Sequence, residues 1–173
     1  LNSQSTVETI VEDATRLQLK TDWVHIDPDR RHDGRRHTDV NAIQPGIDTL
    51  QRLIDQVGNT LQGVSIKLAP ASVIPKLWHT KCRLFWIQSR KECRQQLAVF
   101  TAKNTKWNHR TALAIDKNGV RKWEYTASNA ELLDSGEVPL KGSADRFLYE
   151  PKPAILAGQL APSWAAIHHL QYI

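Results

Sequence analysis

The sequence predicts an α/β fold: a mainly parallel sheet that ends in an antiparallel hairpin, followed by a partial C-terminal appendage. Short β-branched runs alternate with an amphipathic helix in the first half of the chain, which is typical of a parallel sheet covered by helices. In the second half, Asn118 and Gly119 separate two strand-like runs, and an Asn-Gly pair favours a tight hairpin. A loop-rich segment that begins at Asn129 separates the sheet from the appendage.

The composition of the 173 residues is that of an ordinary globular domain. Hydrophobic residues make up 40% and charged residues 24%, which excludes a disordered tail, a collagen-like fibre and a coiled coil. No apolar run is long enough to span a bilayer, and Leu1–Lys20 lacks the pattern of a signal peptide. With only two cysteines a disulfide scaffold is excluded, and we expect a cytoplasmic protein. The net charge of +5 is compatible with a nucleic-acid partner and equally with a merely soluble basic protein.

The first half of the chain contains three runs that predict strands: Val7–Val11, Asp22–Ile26 and Val64–Leu68. The second run stops at Asp27 and Pro28, because proline cannot donate a hydrogen bond to a sheet ladder. A helix is predicted over Pro45–Val57, where apolar residues repeat on one face and Gly58 favours a stop. Parallel strands end at the same edge of a sheet, so the residues that follow them would lie where α/β folds bind ligands.

The second half predicts a short helix and two further pairs of strands: Ile74–Thr80, Leu84–Gln88, Gln96–Ala102, Ala112–Asp116 and Val120–Thr126. Glycine and proline in Asn129–Ser143 predict a linker, and a short helix is expected over Ser163–Leu170. We therefore predict two units, residues 1–128 and residues 129–173.

The segment His25–Asp39 holds three His, four Asp and four Arg in fifteen positions. Imidazoles and carboxylates can bind a metal, but their spacing matches no common metal site and the arginines would repel a cation, so we predict none. Forked hydrogen bonds from paired arginines suit phosphates, such as an RNA backbone. A third interpretation is a solvated loop in which Arg and Asp pair with each other. The residues alone leave these interpretations open.

Three segments and their order along the chain narrow the choice among these interpretations: DPDRRHDGRR (Asp27–Arg36), SIKLAP (Ser65–Pro70) and FLYEPKPAILAG (Phe147–Gly158). Together they resemble bacterial class I S-adenosylmethionine-dependent methyltransferases that end in a THUMP-like domain. IVEDA (Ile10–Ala14) and WVHIDPDRR (Trp23–Arg31) resemble the turns after the third and fourth strands of that fold. The resemblance covers nearly the whole chain. It implies a partial Rossmann-like sheet, with residues 1–128 as the C-terminal portion of the methyltransferase domain and residues 129–173 as the start of the THUMP-like domain.

The resemblance also implies roles for eight residues. Asp13 and Ala14 would hold the adenine of the cofactor, S-adenosyl-L-methionine. Asp27 and the Pro28 carbonyl would act at the catalytic turn, where they would hold an acceptor amine or an edge of the cofactor. The acceptor would be a nucleic-acid base, with RNA expected. Four arginines would hold its phosphates or the base itself: Arg30, Arg31, Arg35 and Arg36.

The sequence departs from the family in three respects. Its eight glycines include no G-x-G turn for the methionine part of the cofactor, and no acid is placed for the ribose hydroxyls. Because the chain also begins at Leu1 and contains no Met, we expect the C-terminal part of an enzyme that alone binds the cofactor weakly and is inactive. Amino-methylating members usually carry Tyr or Phe where Arg30 stands, which leaves the target base open.

Three other functions remain open at this point. One is a non-catalytic RNA-binding or assembly module that retains the fold. Another is a metal-dependent hydrolase built on His25–Asp39. The third uses Cys82 or Cys93 as a nucleophile, although a buried structural thiol is the more common case. A further expectation concerns Lys67, which lies within an apolar strand and must reach solvent or meet an acid; Asp27 on the adjacent strand is the predicted partner.

Overall fold

The computed structural model describes residues 9–13, 21–31, 34–35, 37–103, 109–134, 142–143 and 146–172. Within these residues, six strands are present: β1 (Trp23–Ile26), β2 (Gly63–Leu68), β3 (Arg83–Ser89), β4 (Glu92–Thr101), β5 (His109–Ile115) and β6 (Arg121–Ser128). The α-helices are α1 (Ile47–Ile54), α2 (Asn129–Asp134), α3 (Pro153–Ala157) and α4 (Ala161–Ile167). Two short 3₁₀ helices span Val40–Ala42 and Lys76–Trp78.

The six strands form a single mixed sheet in the order β1-β2-β4-β3-β5-β6. β1 pairs with β2 and β3 pairs with β5 in parallel, whereas the β2/β4, β3/β4 and β5/β6 pairs are antiparallel. The α/β fold and the hairpin at Gly119 are therefore confirmed. The antiparallel share is larger than one closing hairpin, because β3 and β4 form a second hairpin that turns at Arg90 and Lys91.

The pairing directions place four strand ends at one edge of the sheet. β1, β2, β3 and β5 all run the same way, because β4 is antiparallel to both β2 and β3. We call the edge at which they end the exit edge; it is marked by Asp27, Ala69, Arg90 and Asp116. Asp27 and Pro28 follow β1 directly, as the sequence predicts.

One face of the sheet carries the main core. Trp78 is completely buried there; its Nε1 donates to Gln51 Oε1 of α1 at 2.9 Å, and its ring meets Phe100 of β4 edge-on, with 5.4 Å between ring centroids. α3 covers the β3 end of the same face, where Gly158 lies so close to Trp86 that an added Cβ would be 3.1 Å from that ring. These contacts join the helices before β2 and after β6 into one cluster of buried residues.

The predicted strand Val7–Val11 is wrong over its described part. Residues 9–11 have no regular secondary structure, and Ile10 and Val11 are 60% and 98% exposed. A strand needs a hydrogen-bonding partner, and within the described residues β1 pairs with β2 alone. Local β propensity is insufficient without such a partner. Residues 7 and 8 lie outside the described part of the chain.

Two predicted helices are shorter in the structure. α1 begins after Gly46 and ends at Ile54, not at Val57, because the amides of Gln56 and Val57 bond three residues back: Val57 N donates to Ile54 O at 3.0 Å. The short helix predicted over Ile74–Thr80 is only the 3₁₀ helix Lys76–Trp78. Tertiary burial of Trp78 fixes this turn without the length needed for an α-helix.

The linker predicted over Asn129–Ser143 is wrong at its start, where α2 forms. Ser128 N donates to Glu131 Oε2 at 2.6 Å, and Glu131 N donates to Ser128 Oγ at 3.1 Å. This reciprocal pair is a capping box, and it holds the pKa of Glu131 below its ordinary value because the hydrogen bonds favour the carboxylate. Residues 135–141 lie outside the described part.

The division into residues 1–128 and 129–173 stays a prediction. Ile155 and Leu160 from the second segment belong to the same cluster of buried residues as Phe100 from the first. No helix in the described part of the chain is both long and apolar enough to cross a membrane.

Candidate functional site

Asp27 and Lys67 form an ion pair at the exit edge. Parallel pairing of β1 with β2 sets Ile26 opposite Ile66, so the next residues of the two strands are neighbours. Lys67 Nζ donates to Asp27 Oδ2 at 2.5 Å, which confirms the predicted partner. The side chain of Asp27 is 52% exposed and that of Lys67 is 30% exposed. A carboxylate has about four acceptor positions, so Asp27 retains the capacity to bind a ligand.

A second polar pair lies one step back along the same face of β1 and β2. Ser65 is buried, and its Oγ accepts from Trp23 Nε1 at 3.2 Å and lies 2.9 Å from His25 Nδ1. Gly63 makes room for the indole, since an added Cβ would be 2.2 Å from the Trp23 ring. These bonds hold the Trp23 and His25 side chains in place on the face of β1 that also carries Asp27.

The segment that follows β1 carries the four predicted arginines, and we call it the basic loop. It is closed at its base by backbone hydrogen bonds. Asp29 and Gln44 exchange two bonds, of 2.7 and 2.9 Å, and His37 N donates to Arg30 O at 2.9 Å. Asp29 Oδ1 also accepts from Arg31 N at 2.8 Å, which makes an Asx turn. The Asp29 carboxylate therefore orders the start of the loop. Because this hydrogen bond holds it in place, it neutralises the neighbouring arginines less fully than a mobile carboxylate would.

The four arginines predicted to bind the acceptor differ in their exposure to solvent. Arg30 is half-buried, and its Nη1 is buried without a hydrogen-bond partner among the described residues. Arg31 and Arg35 are exposed, and Arg36 lies outside the described residues. A buried guanidinium donor that lacks a partner costs free energy, and a ligand oxygen at that position would recover it.

Asp13 and Ala14 are the residues predicted to hold the adenine of the cofactor. Asp13 is exposed in a segment without regular secondary structure, and Ala14 lies outside the described residues. Their assignment to adenine stays a prediction, although the strand that was expected to lead into them is absent over residues 9–11.

Further cationic residues occur along the exit edge that the sequence motifs did not single out. Arg90 and Lys91 form the turn of the β3/β4 hairpin, and Lys117 is exposed in the turn of the β5/β6 hairpin. Only the strand directions bring these turns to the same edge as the loop after β1. The signal available in the sequence was a basic pair between two adjacent strand-like runs.

The cysteines are unsuited to nucleophilic attack. Burial raises the pKa of Cys82 to about 12 and that of Cys93 to about 11. Both thiols are protonated at neutral pH, and the thiolate is the reactive form. Cys82 belongs to the buried core beneath the sheet.

Metal ligands do not converge in the part of the chain that the structure describes. No group of three His, Cys, Asp or Glu residues there could hold a metal ion. His25 instead bonds to Ser65, Asp27 to Lys67, and Asp39 caps its own loop by accepting from Asn41 N at 2.9 Å.

Comparison with known proteins supports the fold. No protein-family model and no curated protein matches the chain. A solved structure from Porphyromonas gingivalis W83, of a protein whose methyltransferase name is provisional, is similar with a TM-score of 0.61 and 20% identity. The similarity covers 83% of this chain and 35% of the other, so the chain spans about a third of the protein it matches. At this identity the likeness shows a shared Rossmann-like methyltransferase fold.

Proposed function

We propose that this chain takes part in methyl transfer from S-adenosyl-L-methionine to a nucleic-acid base, with RNA as the acceptor. The observation that carries the proposal is the position of Asp27 and Pro28, directly after β1 at the exit edge, in a fold shared with a protein that has a provisional methyltransferase name. Ligands of open α/β sheets bind at this edge. The adjoining basic loop gives the same edge affinity for an anionic acceptor.

The proposal gives roles to Asp27, Pro28 and the arginines of the loop that follows them. Asp27 and the Pro28 carbonyl accept hydrogen bonds from an exocyclic amine and so orient the acceptor, and orientation supplies much of the rate of such a transfer. Arg30 donates its buried Nη1 to a carbonyl or phosphate oxygen of the acceptor. Arg31, Arg35 and Arg36 contact the phosphates that flank the base.

Apart from Asp13, which is assigned to the adenine, the described residues of the proposed site lie on its acceptor side. The cofactor supplies the methyl group on a sulfonium, and its methionine and ribose parts need a glycine turn and an acid that the sequence lacks. The exposed arginines of the basic loop would equally serve a second candidate function, a non-catalytic RNA-binding or assembly module with the same fold.

The basic loop can be tested by its effect on RNA binding. Replacing Arg35 and Arg36 by Ala should weaken binding across RNA sequences, because these side chains bind phosphates and not bases. It should also lower the slope of log affinity against log salt by about 1.4, which is about 0.7 for each phosphate that is no longer neutralised. Fluorescence anisotropy with a labelled single-stranded RNA at four salt concentrations measures both quantities.

The matched control for this prediction removes two charges elsewhere. Lys81 and Lys103 are exposed; Lys81 precedes the start of β3 and Lys103 follows the end of β4, so both lie at the opposite end of the strands from the exit edge. The variant with Ala at both positions should keep the affinity and slope of the wild-type chain within about twofold, as distant exposed charges are largely screened. Equal effects of the two double variants would mean that the loop is only a solvated surface.

A further inference from the structure

A second concave site lies away from the exit loop, between α4 and the extended segment before α3. It is a groove of about 540 Å³, within the range of ligand sites in proteins. We call it the aromatic groove, and its chemistry comes from six side chains: Arg146, Phe147, Tyr149, Trp164, His169 and Tyr172. Neither the predicted methyltransferase site nor the basic loop contributes to its lining.

Three aromatic side chains that line the groove are exposed to solvent. Phe147 is 63% exposed, Tyr149 is 58% exposed and Tyr172 is 37% exposed. The Phe147 and Tyr149 rings lie 6.4 Å apart at an angle of 52°, so they are splayed and not stacked on each other. Contiguous apolar surface of this kind marks a binding site more often than it marks an ordinary protein surface.

The charge of the groove selects an anionic partner. Arg146 lies over the Phe147 ring, with 5.2 Å from Cζ to the ring centroid, and His169 lines the opposite side. Of the described residues that line the groove, none is acidic. Glu150 and Lys152 flank the lining residue Pro151 and carry opposite charges, so the positive charge of the groove comes from Arg146.

We propose that the aromatic groove binds unstacked bases of single-stranded RNA. Aromatic rings beside a cationic groove are the features by which proteins hold single strands, because every base offers a π-face and every linkage offers a phosphate. A duplex hides these faces in its own stack, so the groove should discriminate against it. The inference depends on the proposed function only for the choice of RNA over other single strands.

The test uses the whole chain and a fluorescein-labelled 12-nucleotide oligouridine, with binding followed by anisotropy. Tyr149→Ala and Phe147→Ala should each weaken binding about five- to hundredfold, the range found when a stacking ring is truncated. Tyr149→Phe should retain wild-type affinity, because the ring is kept. Arg146→Ala should lower the salt slope by about 0.7. Both rings are more than half exposed, so these variants should fold, which their melting temperatures check.

The control is Leu77→Ala, which removes a side chain that is 54% exposed outside the groove and should leave the affinity unchanged. A 12-base-pair duplex should bind more weakly than oligouridine and should not respond to the ring variants. The proposal is overturned if Tyr149→Ala and Phe147→Ala bind oligouridine as the wild type does. It is also overturned if the wild-type chain binds anionic phosphatidylserine vesicles through these rings and does not bind RNA.

The outcomes separate this proposal from the proposed function. If oligouridine binding depends on Arg35 and Arg36 but not on the rings, the groove proposal fails while the methyltransferase proposal stands. If the rings govern binding but the intact enzyme transfers no methyl group to RNA, the groove proposal stands and the methyltransferase proposal fails.

Discussion

In the intact enzyme, replacing Asp27 by Ala should lower the rate of methyl transfer to RNA by about a hundredfold or more, because loss of a group that orients the acceptor has effects of this size. The melting temperature should change little. The ion pair with Lys67 is half-exposed, and such pairs contribute about 0–1 kcal/mol to stability. Without Asp27 the ammonium group of Lys67 can reach water. Initial rates with tritiated cofactor, on RNA from cells that lack the protein, measure the effect.

Lys67→Ala is the matched control, because it breaks the same ion pair and leaves the carboxylate in place. Its rate should stay within about tenfold of wild type, since a half-exposed pair is worth only about 1 kcal/mol. If Lys67→Ala and Asp27→Ala reduce the rate equally, Asp27 acts through the ion pair and is a positioning residue. If Asp27→Ala unfolds the protein, its role is structural and the assignment to the acceptor is wrong.

Replacing Trp78 by Ala should have the largest effect on stability, about 3–5 kcal/mol, as for other buried tryptophans. Trp78 is completely buried, bonds to Gln51 of α1 and meets Phe100 of β4 edge-on. The substitution leaves a cavity where three elements meet. Domains have only about 5–15 kcal/mol in total, so a large part of the stability would be lost. Urea unfolding monitored by circular dichroism measures the change in free energy of unfolding.

Two further variants make that measurement decisive. Trp78→Phe should fold with a smaller loss of about 1–2 kcal/mol, because it keeps most of the apolar volume and loses the bond to Gln51. Trp23→Ala is the control, since its ring is 44% exposed and should contribute less. A loss from Trp78→Ala no greater than that from Trp23→Ala would contradict the role of Trp78 in the core.

The parts of the fold that could be predicted are those with a local signal. The end of β1 at Asp27 and Pro28 follows from the missing amide of proline, and the β5/β6 hairpin follows from Asn118 and Gly119, whose φ of +78° only glycine adopts readily. The ion pair between Asp27 and Lys67 follows from placing a cation inside an apolar strand beside another strand that ends in an acid. In each case the physical cause lies within a few residues.

The rest depends on tertiary contacts or on a signal that was overlooked. Ser128 and Glu131 form a capping box at the start of α2. This pattern is recognisable in a sequence, but the glycines and proline that follow it favoured a linker. The β3/β4 turn has no Gly or Asn to mark its position, and Arg90 adopts a φ of 59° there. The half-burial of Arg30 and the convergence of residues around the aromatic groove arise only when distant segments meet.

The central claim, that the exit edge presents an RNA base for methylation, is tested most directly in cells. Nucleosides from RNA of wild-type cells and of cells without the protein are compared by mass spectrometry, with a third strain that carries Asp27→Ala. The account predicts one base-methylated nucleoside that is present in the wild type and depleted in both other strains. Identical nucleoside profiles in all three strains, with RNA binding intact in the purified protein, would contradict it and would favour the non-catalytic RNA-binding module.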